Sequence, residues 1–233
     1  MKEFVQGHAV KAMYKSRRAK TVDGVDYRKL RSPKGGHEHT SEVLPAGSVR
    51  SEGALPLPTD IRVDWNVPVP LRDGTVILTD ILRPVPTEAV PAIVAWSPYG
   101  KNRPMDSVAK LVEPLSGLQK FEAPDPAYWV ARGYAVVNPD VRGIGFSGGD
   151  LPQWGSQDGR DGYDLVEWLA EQEWCSGRIG FAGNSYLAIS QWFIGAERPP
   201  HLAAPAPWEG ALDVYRHSIA PAASQPPSST RWR

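Results

Sequence analysis

The sequence predicts an α/β fold: a mostly parallel sheet with an antiparallel hairpin at its start and helices on both faces. Three observations support this prediction. Short continuous apolar runs at residues 92–96, 133–138 and 179–182 are typical of strands buried on both faces. A helical pattern of apolar residues lies between the second and third runs, and this alternation favours parallel strands joined by crossovers. Turn signals ahead of the first run predict the hairpin.

The hairpin is predicted from residues 61–82. Residues 61–69 alternate between apolar and other side chains with period two, as in a half-buried strand. The adjacent Asp73 and Gly74 are a strong turn signal, and residues 76–82 form the returning strand. Because proline cannot donate a backbone hydrogen bond, Pro68 and Pro70 predict that the first strand lies at a sheet edge.

A helix is predicted at residues 161–174, where Leu165 and Leu169 share one face. Its N-terminal half is acidic, which suits the positive end of the helix dipole. The acidic residues are Asp161, Asp164 and Glu167. We therefore expect an amphipathic helix that packs on the sheet.

Two further segments complete the predicted domain. Residues 101–128 contain four prolines and are predicted to form a long loop with helical pieces, of a kind that often borders an active site. Residues 202–207 are a candidate for a fourth parallel strand.

Both ends of the chain differ from its centre. Residues 1–55 hold 11 lysines and arginines against 6 aspartates and glutamates, and we expect a largely irregular basic extension with a short helix near residues 4–15. Residues 218–233 are rich in proline, serine and alanine, and we expect a disordered tail. Residues 56–217 are predicted to hold the folded part.

Composition excludes several classes of protein. Apolar residues make up 41% and charged residues 22% of the chain, as in soluble globular proteins. A net charge of zero gives no indication of a nucleic-acid partner, and no run approaches the ~18 apolar residues of a membrane span. Cys175 is the single cysteine, so no internal disulfide can form. We expect a cytoplasmic protein with no membrane segment.

The most informative segment joins the third apolar run to a helix expected at residues 187–195. Gly183, Ser185 and Ala188 place a serine between two small residues at a strand-to-helix turn, which is the pattern of a nucleophile elbow. Such a turn is strained and lifts the serine oxygen above the sheet. Ala188 stands where glycine is usual. The alternative is an ordinary turn in which Ser185 caps the helix.

A nucleophilic serine needs a base, usually histidine, and a carboxylate that orients the base. The only histidines after Ser185 are His201 and His217, and the only aspartate after it is Asp213. Neither histidine follows a strand and loop that would return it to the serine, so we interpret both as surface or packing residues. The chain therefore carries a candidate nucleophile without a recognisable acid and base.

Other motifs accompany the elbow in a consistent order. They lie at residues 67–75, 82–84, 97–101, 132–137, 140–149, 173–175, 180–186 and 191–192, together with Trp168. This set, within about residues 65–217, resembles the cocaine-esterase-like and Xaa-Pro dipeptidyl-peptidase-like family of serine hydrolases. The resemblance implies an incomplete α/β-hydrolase fold, of which the chain holds the N-terminal half only. Full-length members continue with a helical cap, the catalytic Asp and His, and a β-sandwich.

The resemblance also implies three catalytic roles. Ser185 would attack a carbonyl carbon, Tyr186 would offer its backbone N–H to the resulting oxyanion, and Tyr99 would offer its phenol O–H to the same oxygen. Preorganised donors of this kind stabilise the charge that develops in the transition state. Without the resemblance, Tyr99 is more simply a buried aromatic residue with a satisfied hydroxyl.

The glycine-rich segment at residues 140–149 is predicted to be a tight loop held by Asp140 and Arg142. We expect Arg142 to pair with a carboxylate of the acidic helix. The loop glycines fit positions that need positive φ or close approach; they are Gly143, Gly145 and Gly149. No Gly-Lys-Ser or Gly-Lys-Thr follows, which argues against a phosphate-binding loop.

Three functions remain open. The first, which we favour, is a serine hydrolase that cleaves ester or peptide bonds of a small-molecule substrate, needs no cofactor or metal, and requires residues that this chain lacks. The second is a non-catalytic module that binds a partner through an exposed sheet edge, which also leaves a homo-oligomer open. The third is an active short hydrolase that uses His201 or His217 as its base.

Overall fold

A seven-stranded sheet runs through the part of the chain that the structure describes. The structure is a computed structural model that describes residues 37–85, 88–101 and 115–219. The strands are β1 (Thr40–Leu44), β2 (Ile61–Pro70), β3 (Val76–Pro84), β4 (Val90–Val94), β5 (Ala135–Asp140), β6 (Cys175–Gly183) and β7 (Leu202–Pro207). Their order in the sheet is β1-β2-β3-β5-β4-β6-β7. The first three strands and β5 pair antiparallel, whereas β5, β4, β6 and β7 are parallel. The predicted mostly parallel sheet that starts with a hairpin is confirmed.

Helices cover both faces of this sheet, as predicted. They are α1 (Pro126–Val130), α2 (Ser156–Ala170) and α3 (Tyr186–Ala196), and a π-helical turn follows at Tyr215–Ile219. Within the described ranges, no helix has the length and apolar character needed to cross a membrane. The helix expected near residues 4–15 and most of the predicted tail lie outside the described residues.

The sheet separates two apolar cores. Neighbouring residues of β3 contribute to different cores, Ile81 to one and Leu82 to the other, because successive side chains of a strand point to opposite faces. The larger core lies under α2 and α3 and includes Val94, Val137, Leu165, Phe181 and Ile194. The smaller core lies under α1 and includes Ile61, Trp65, Leu118, Ala127 and Val130.

A β-bulge changes the face that β2 presents to each core. The register with β3 shifts between Asp64 and Val67, and Asn66 has a positive φ of 53°. Its backbone N–H donates to the carboxylate of Asp80 at 2.9 Å. The apolar residues before the bulge pack in the smaller core, and Val67 and Val69 pack in the larger one. The predicted alternation along residues 61–69 therefore holds within each half of the strand, but the two halves bury their apolar side chains in different cores.

The sheet begins earlier than the sequence indicated. Strand β1 lies inside the segment expected to be a largely irregular extension, and it pairs with the first half of β2. Its inward residue Leu44 is 2% exposed. The expectation that β2 lies at the sheet edge was wrong, because β1 occupies that edge. Pro68 and Pro70 lie past the end of β1, which pairs only as far as Trp65, so their missing N–H groups interrupt no pairing with that strand.

Helix α2 begins at Ser156, five residues before the predicted start. Asp158 is consequently the acidic residue of the first turn. The three acidic residues that were expected to suit the dipole pair instead with basic side chains of other segments. The pairs are Asp161 with Arg142, Asp164 with Arg72, and Glu167 with His201.

Candidate active site

The candidate nucleophile lies on a strained turn between β6 and α3. Ser185 has φ 54° and ψ −114°, a conformation that non-glycine residues rarely adopt. Gly183 has φ 151°, and a Cβ at that position would lie 2.5 Å from a side-chain carbon of Leu187. The Ser185 side chain makes no capping hydrogen bond to α3. The turn therefore has the backbone of a nucleophile elbow and differs from an ordinary serine-capped helix start.

Two distant loops hold this elbow through backbone hydrogen bonds. The N–H of Ser185 donates to the carbonyl of Glu209 at 2.7 Å, and the N–H of Asn184 donates to the carbonyl of Glu122 at 3.1 Å. The carbonyl of Ser185 accepts from Ile189 at 3.0 Å within the first turn of α3. Because Asn184 and Ser185 are both held from outside the turn, the strained conformation is stabilised by the surrounding fold.

The methyl group of Ala188 occupies the space behind the elbow. Ala188 is fully buried, and Gly210 lies directly against it: a Cβ at Gly210 would be 2.8 Å from the Ala188 Cβ. Glycine at position 210 thus accommodates the methyl group of Ala188.

Tyr99 lies beside the elbow. It is half-buried, and its ring lies 6.4 Å from that of Tyr186, centroid to centroid. Phe121 packs edge-on against Tyr99 with centroids 4.9 Å apart. The backbone N–H of Tyr99 donates to the Ser97 hydroxyl at 3.1 Å. The fold therefore brings the aromatic residue after β4 next to the residue that follows Ser185.

Trp154 contacts the side chain of Tyr186 through a hydrogen bond and a ring stack. Its backbone N–H donates to the Tyr186 hydroxyl at 3.2 Å, and the two rings stack with centroids 4.8 Å apart and an interplanar angle of 25°. Gln153, Trp154 and Gly155 have consecutive positive φ values of 36°, 58° and 104°. This unusual backbone turns the indole back over the start of α3.

Arg142 joins the glycine-rich loop to α2 and to the hairpin turn, and its predicted pairing with the acidic helix is confirmed. The guanidinium donates twice to Asp161, at 2.6 and 2.8 Å. It also contacts Asp73 at 2.9 Å and the Thr75 hydroxyl at 2.7 Å. Hydrogen bonding to Asp161 raises the pKa of Arg142, so its charge is permanent and its role is structural.

The glycines of this loop are also explained. Gly143, Gly145 and Gly149 have φ values of 76°, 59° and 77°. A Cβ at Gly145 would collide with the carboxylate of Asp140. The expected tight loop is therefore confirmed.

The histidines after the elbow lie in different places. His201 precedes β7, which runs parallel to β6, so it lies at the opposite end of the sheet from Ser185, roughly 15–20 Å away by strand rise. Its Nδ1 contacts Glu167 at 2.7 Å, as expected for a surface residue. His217 is exposed, and its backbone N–H donates to the carbonyl of Asp213 at 2.8 Å.

The carboxylate of Asp213 is bound by Arg216, three residues later in the same turn. Its carboxylate accepts from the backbone N–H of Arg216 at 2.9 Å and contacts that guanidinium at 2.6 Å. The backbone hydrogen bond is the largest cause that lowers the pKa of Asp213. In the described ranges, no group of three or more His, Cys, Asp or Glu residues is arranged to hold a metal ion.

Sequence reasoning missed the residues that support the elbow from outside. Glu209 and Glu122 act through backbone carbonyls, and Trp154 acts through a loop with no apolar periodicity. None of these contacts has a local sequence signal, because each joins segments that are more than 20 residues apart.

The chain is similar to known hydrolases in both sequence and fold. Residues 73–232 match the family model described as X-Pro dipeptidyl-peptidase (S15 family). The cocaine esterase of Rhodococcus sp. (strain MB1 Bresler) is 34% identical over 151 residues, which cover 65% of this chain and 24% of the esterase. A crystal structure of a CocE/NonD family hydrolase from Staphylococcus aureus is similar with a TM-score of 0.69 and 33% identity, over 77% of this chain and 32% of that chain.

A more distant structure has the same fold. An aminopeptidase from the marine sediment archaeon Thaumarchaeota archaeon matches with a TM-score of 0.51 and 26% identity, over 64% of this chain and 25% of that chain. The chain thus spans about a quarter of the length of the cocaine esterase and a third of the staphylococcal hydrolase. From the family match, the sheet order and the elbow together, the chain belongs to the X-Pro dipeptidyl-peptidase (S15) family of serine α/β-hydrolases.

Proposed function

We propose that this chain supplies the nucleophile and the oxyanion-binding groups of a hydrolase that cleaves ester or peptide bonds in small-molecule substrates. The observation that carries the proposal is the strained backbone of Ser185, held by hydrogen bonds from two distant loops. Strain that the surrounding fold maintains is typical of functional sites. Tyr99, whose ring lies 6.4 Å from that of Tyr186, and Tyr186, which follows Ser185, would supply hydrogen-bond donors of the required kind.

In the proposed reaction, the Ser185 Oγ attacks the carbonyl carbon of the substrate and its proton passes to a base. The negative charge that develops on the carbonyl oxygen is stabilised by the backbone N–H of Tyr186 and the phenol O–H of Tyr99. Collapse of the tetrahedral intermediate releases an alcohol or an amine, which takes up the proton. Water then attacks the acyl-serine carbonyl and gives a proton to the same base. Collapse of the second tetrahedral intermediate breaks the bond to Ser185, releases the acid and returns the proton to the serine oxygen.

We propose that the base and its orienting carboxylate come from sequence outside this chain. His201 is a poor candidate because it lies at the far end of the sheet and contacts Glu167 at 2.7 Å. The small share of the curated relatives that the chain covers supports the same view.

We also place the protein in the cytoplasm, because its single cysteine, Cys175, is buried and free.

A second candidate function is a binding module, and the surface beside β7 favours it. β7 ends the described sheet, and the segment after it exposes three large apolar side chains. They are Trp208, Leu212 and Tyr215, which are 55%, 71% and 60% exposed. A non-catalytic chain would use this apolar surface to bind a partner, including a second copy of itself.

Turnover measurements separate the two candidates. The protein is isolated from its natural source, and hydrolysis of an aryl ester and of an Xaa-Pro arylamide is compared with that of a recombinant Ser185→Ala form of the same length. The hydrolase proposal expects turnover of at least one substrate that Ser185→Ala lacks. Equal background rates in both proteins would favour the binding module.

A further inference from the structure

A buried ion pair between Lys101 and Asp80 lies behind the candidate oxyanion site. We propose that Lys101 is a positioning residue, and that its contact with Asp80 sets the place of Tyr99 beside the nucleophile. This inference rests on the proposed oxyanion role of Tyr99 and extends it to a residue that does not touch the substrate.

The pair is completely enclosed by protein. The Lys101 Nζ lies 2.6 Å from the Asp80 Oδ1, and the two side chains are 1% and 0% exposed. The same Asp80 oxygen accepts the backbone N–H of Asn66 in the β2 bulge. Lys101 follows β4, whereas Asp80 belongs to β3, and β5 lies between these strands. The lysine side chain thus joins the segment after β4 to β3.

The turn that carries Tyr99 is fixed on both sides of that residue. Before it, the Ser97 hydroxyl accepts the backbone N–H of Tyr99 at 3.1 Å. After it, the backbone N–H of Lys101 donates to the Asp140 carboxylate at 2.8 Å. Gly100, between them, has φ 89°, a value that favours glycine. This backbone turn lets the side chains of Tyr99 and Lys101 point in different directions. Anchoring Lys101 therefore limits where the Tyr99 ring can lie.

A second lysine, Lys120, is attracted to the same carboxylate. Lys120 immediately precedes Phe121, which packs edge-on against Tyr99. Burial of the ammonium lowers the pKa of Lys120, and attraction to Asp80 opposes that shift. Asp80 therefore attracts a second lysine, on the segment that carries Phe121.

The energetics favour positioning over simple stabilisation. Desolvation of two charges cancels much of their attraction, and well-packed apolar residues often stabilise a core as well as a buried ion pair. What an ion pair adds is a defined geometry, since the ammonium must meet one carboxylate at one distance. Here the residue that the ion pair fixes is Lys101, which lies two positions after Tyr99 in the sequence.

Fluorine NMR tests the placement without any need for turnover. The full chain is labelled with 3-fluorotyrosine at its 8 tyrosines, and the Tyr99 resonance is assigned from its loss in Tyr99→Phe. Lys101→Met leaves a buried, unpaired Asp80, so the double variant Asp80→Asn/Lys101→Met is made as well because it removes both charges. We expect a displaced or broadened Tyr99 resonance in both variants, with smaller changes at Tyr128 and Tyr163.

Arg72→Met is the matched control. Arg72 forms an exposed ion pair with Asp164 at 2.7 Å, and its guanidinium lies 5.0 Å from the ring centre of Tyr163. This variant should move the Tyr163 resonance and leave that of Tyr99 in place. An unchanged Tyr99 resonance in folded Asp80→Asn/Lys101→Met would overturn the proposal.

Kinetics of the natural protein give the second readout. If Lys101 acts through Tyr99, Lys101→Met lowers kcat at least about tenfold when Tyr99 is present and by less than about twofold in a Tyr99→Phe background. Equal losses in both backgrounds would indicate a merely structural role and contradict the proposal. If the Tyr99 resonance moves but the protein hydrolyses no ester, the positioning of Tyr99 by Lys101 is supported and the proposed hydrolase function is contradicted.

Discussion

Ala188 and Gly210 share one tight space behind the candidate nucleophile, where a Cβ at position 210 would lie 2.8 Å from the Cβ of Ala188. The residue before Gly210 is Glu209, whose carbonyl accepts the N–H of Ser185 at 2.7 Å. The size of residue 188 is therefore linked to the loop that holds the elbow.

This relationship predicts coupled substitutions. Gly210→Ala should lower the free energy of unfolding by about 1–3 kcal/mol, because the added methyl group overpacks the contact with the buried side chain of Ala188. In an Ala188→Gly background the same change should cost at least ~0.5 kcal/mol less. Urea unfolding of the four proteins in the cycle measures both values. Additive effects would mean that the two residues do not share the space.

The interface between α2 and α3 gives a matched pair of glycine substitutions. A Cβ at Gly159 would lie 2.6 Å from the backbone oxygen of Phe193, whereas a Cβ at Gly195 meets nothing within 4 Å. Both glycines are helical. Gly159→Ala should destabilise the protein by about 1–3 kcal/mol, and Gly195→Ala should stabilise it by about 0.5–1 kcal/mol. Thermal unfolding compares them, and equal shifts in Tm would contradict close helix packing.

Asp158 predicts a pH dependence of stability. Its carboxyl is 1% exposed and accepts the indole N–H of Trp96 at 2.7 Å. The second carboxyl oxygen has no hydrogen-bond partner among the residues that the structure describes. Burial raises the pKa of Asp158 to about 7, and the Asp161 carboxylate adds to that rise. The folded protein therefore retains this proton at pH values where the unfolded chain has lost it.

Because the folded pKa exceeds the unfolded value, stability should fall as pH rises from about 4 to about 7 and then level off. The contribution is on the order of 4 kcal/mol. Asp158→Asn keeps an acceptor for Trp96 but cannot ionise, so its stability relative to the natural protein should increase across this range. Urea unfolding at a series of pH values provides the test. Parallel curves for the two proteins would show that Asp158 does not titrate there.

Tyr99→Phe tests the phenol directly. The substitution keeps the ring contacts with Phe121 and removes one proposed oxyanion donor. Loss of such a donor raises the barrier by about 2.7–4 kcal/mol, or about 10²–10³ in kcat. We expect this loss with little change in KM or in unfolding temperature. A change confined to KM would indicate that Tyr99 binds substrate without stabilising the transition state.

The parts of the fold that depend on local pattern could be predicted from the sequence. Continuous apolar runs indicated the buried parallel strands, and small residues around Ser185 indicated the elbow. The acidic character of the helix after the glycine-rich loop indicated a partner for Arg142. In each case the residues that determine the structure lie close together in the sequence, or their charges leave few possible partners.

The parts that depend on distant contacts could not be predicted. Strand β1 has little apolar alternation, and its position follows from pairing with β2. The bulge at Asn66 depends on the Asp80 carboxylate 14 residues away. The loop at Trp154 adopts its strained backbone against Tyr186, 32 residues later. Such features are determined by tertiary contacts that override local preference.

The most direct test of the account is fluorophosphonate labelling of the protein as isolated from its natural source, with the modified residue identified by peptide mass spectrometry. We expect one phosphonylated residue, Ser185, and no labelling of the Ser185→Ala form. A folded natural protein that remains unlabelled at Ser185, or that is labelled at another serine, would contradict the assignment of Ser185 as the nucleophile.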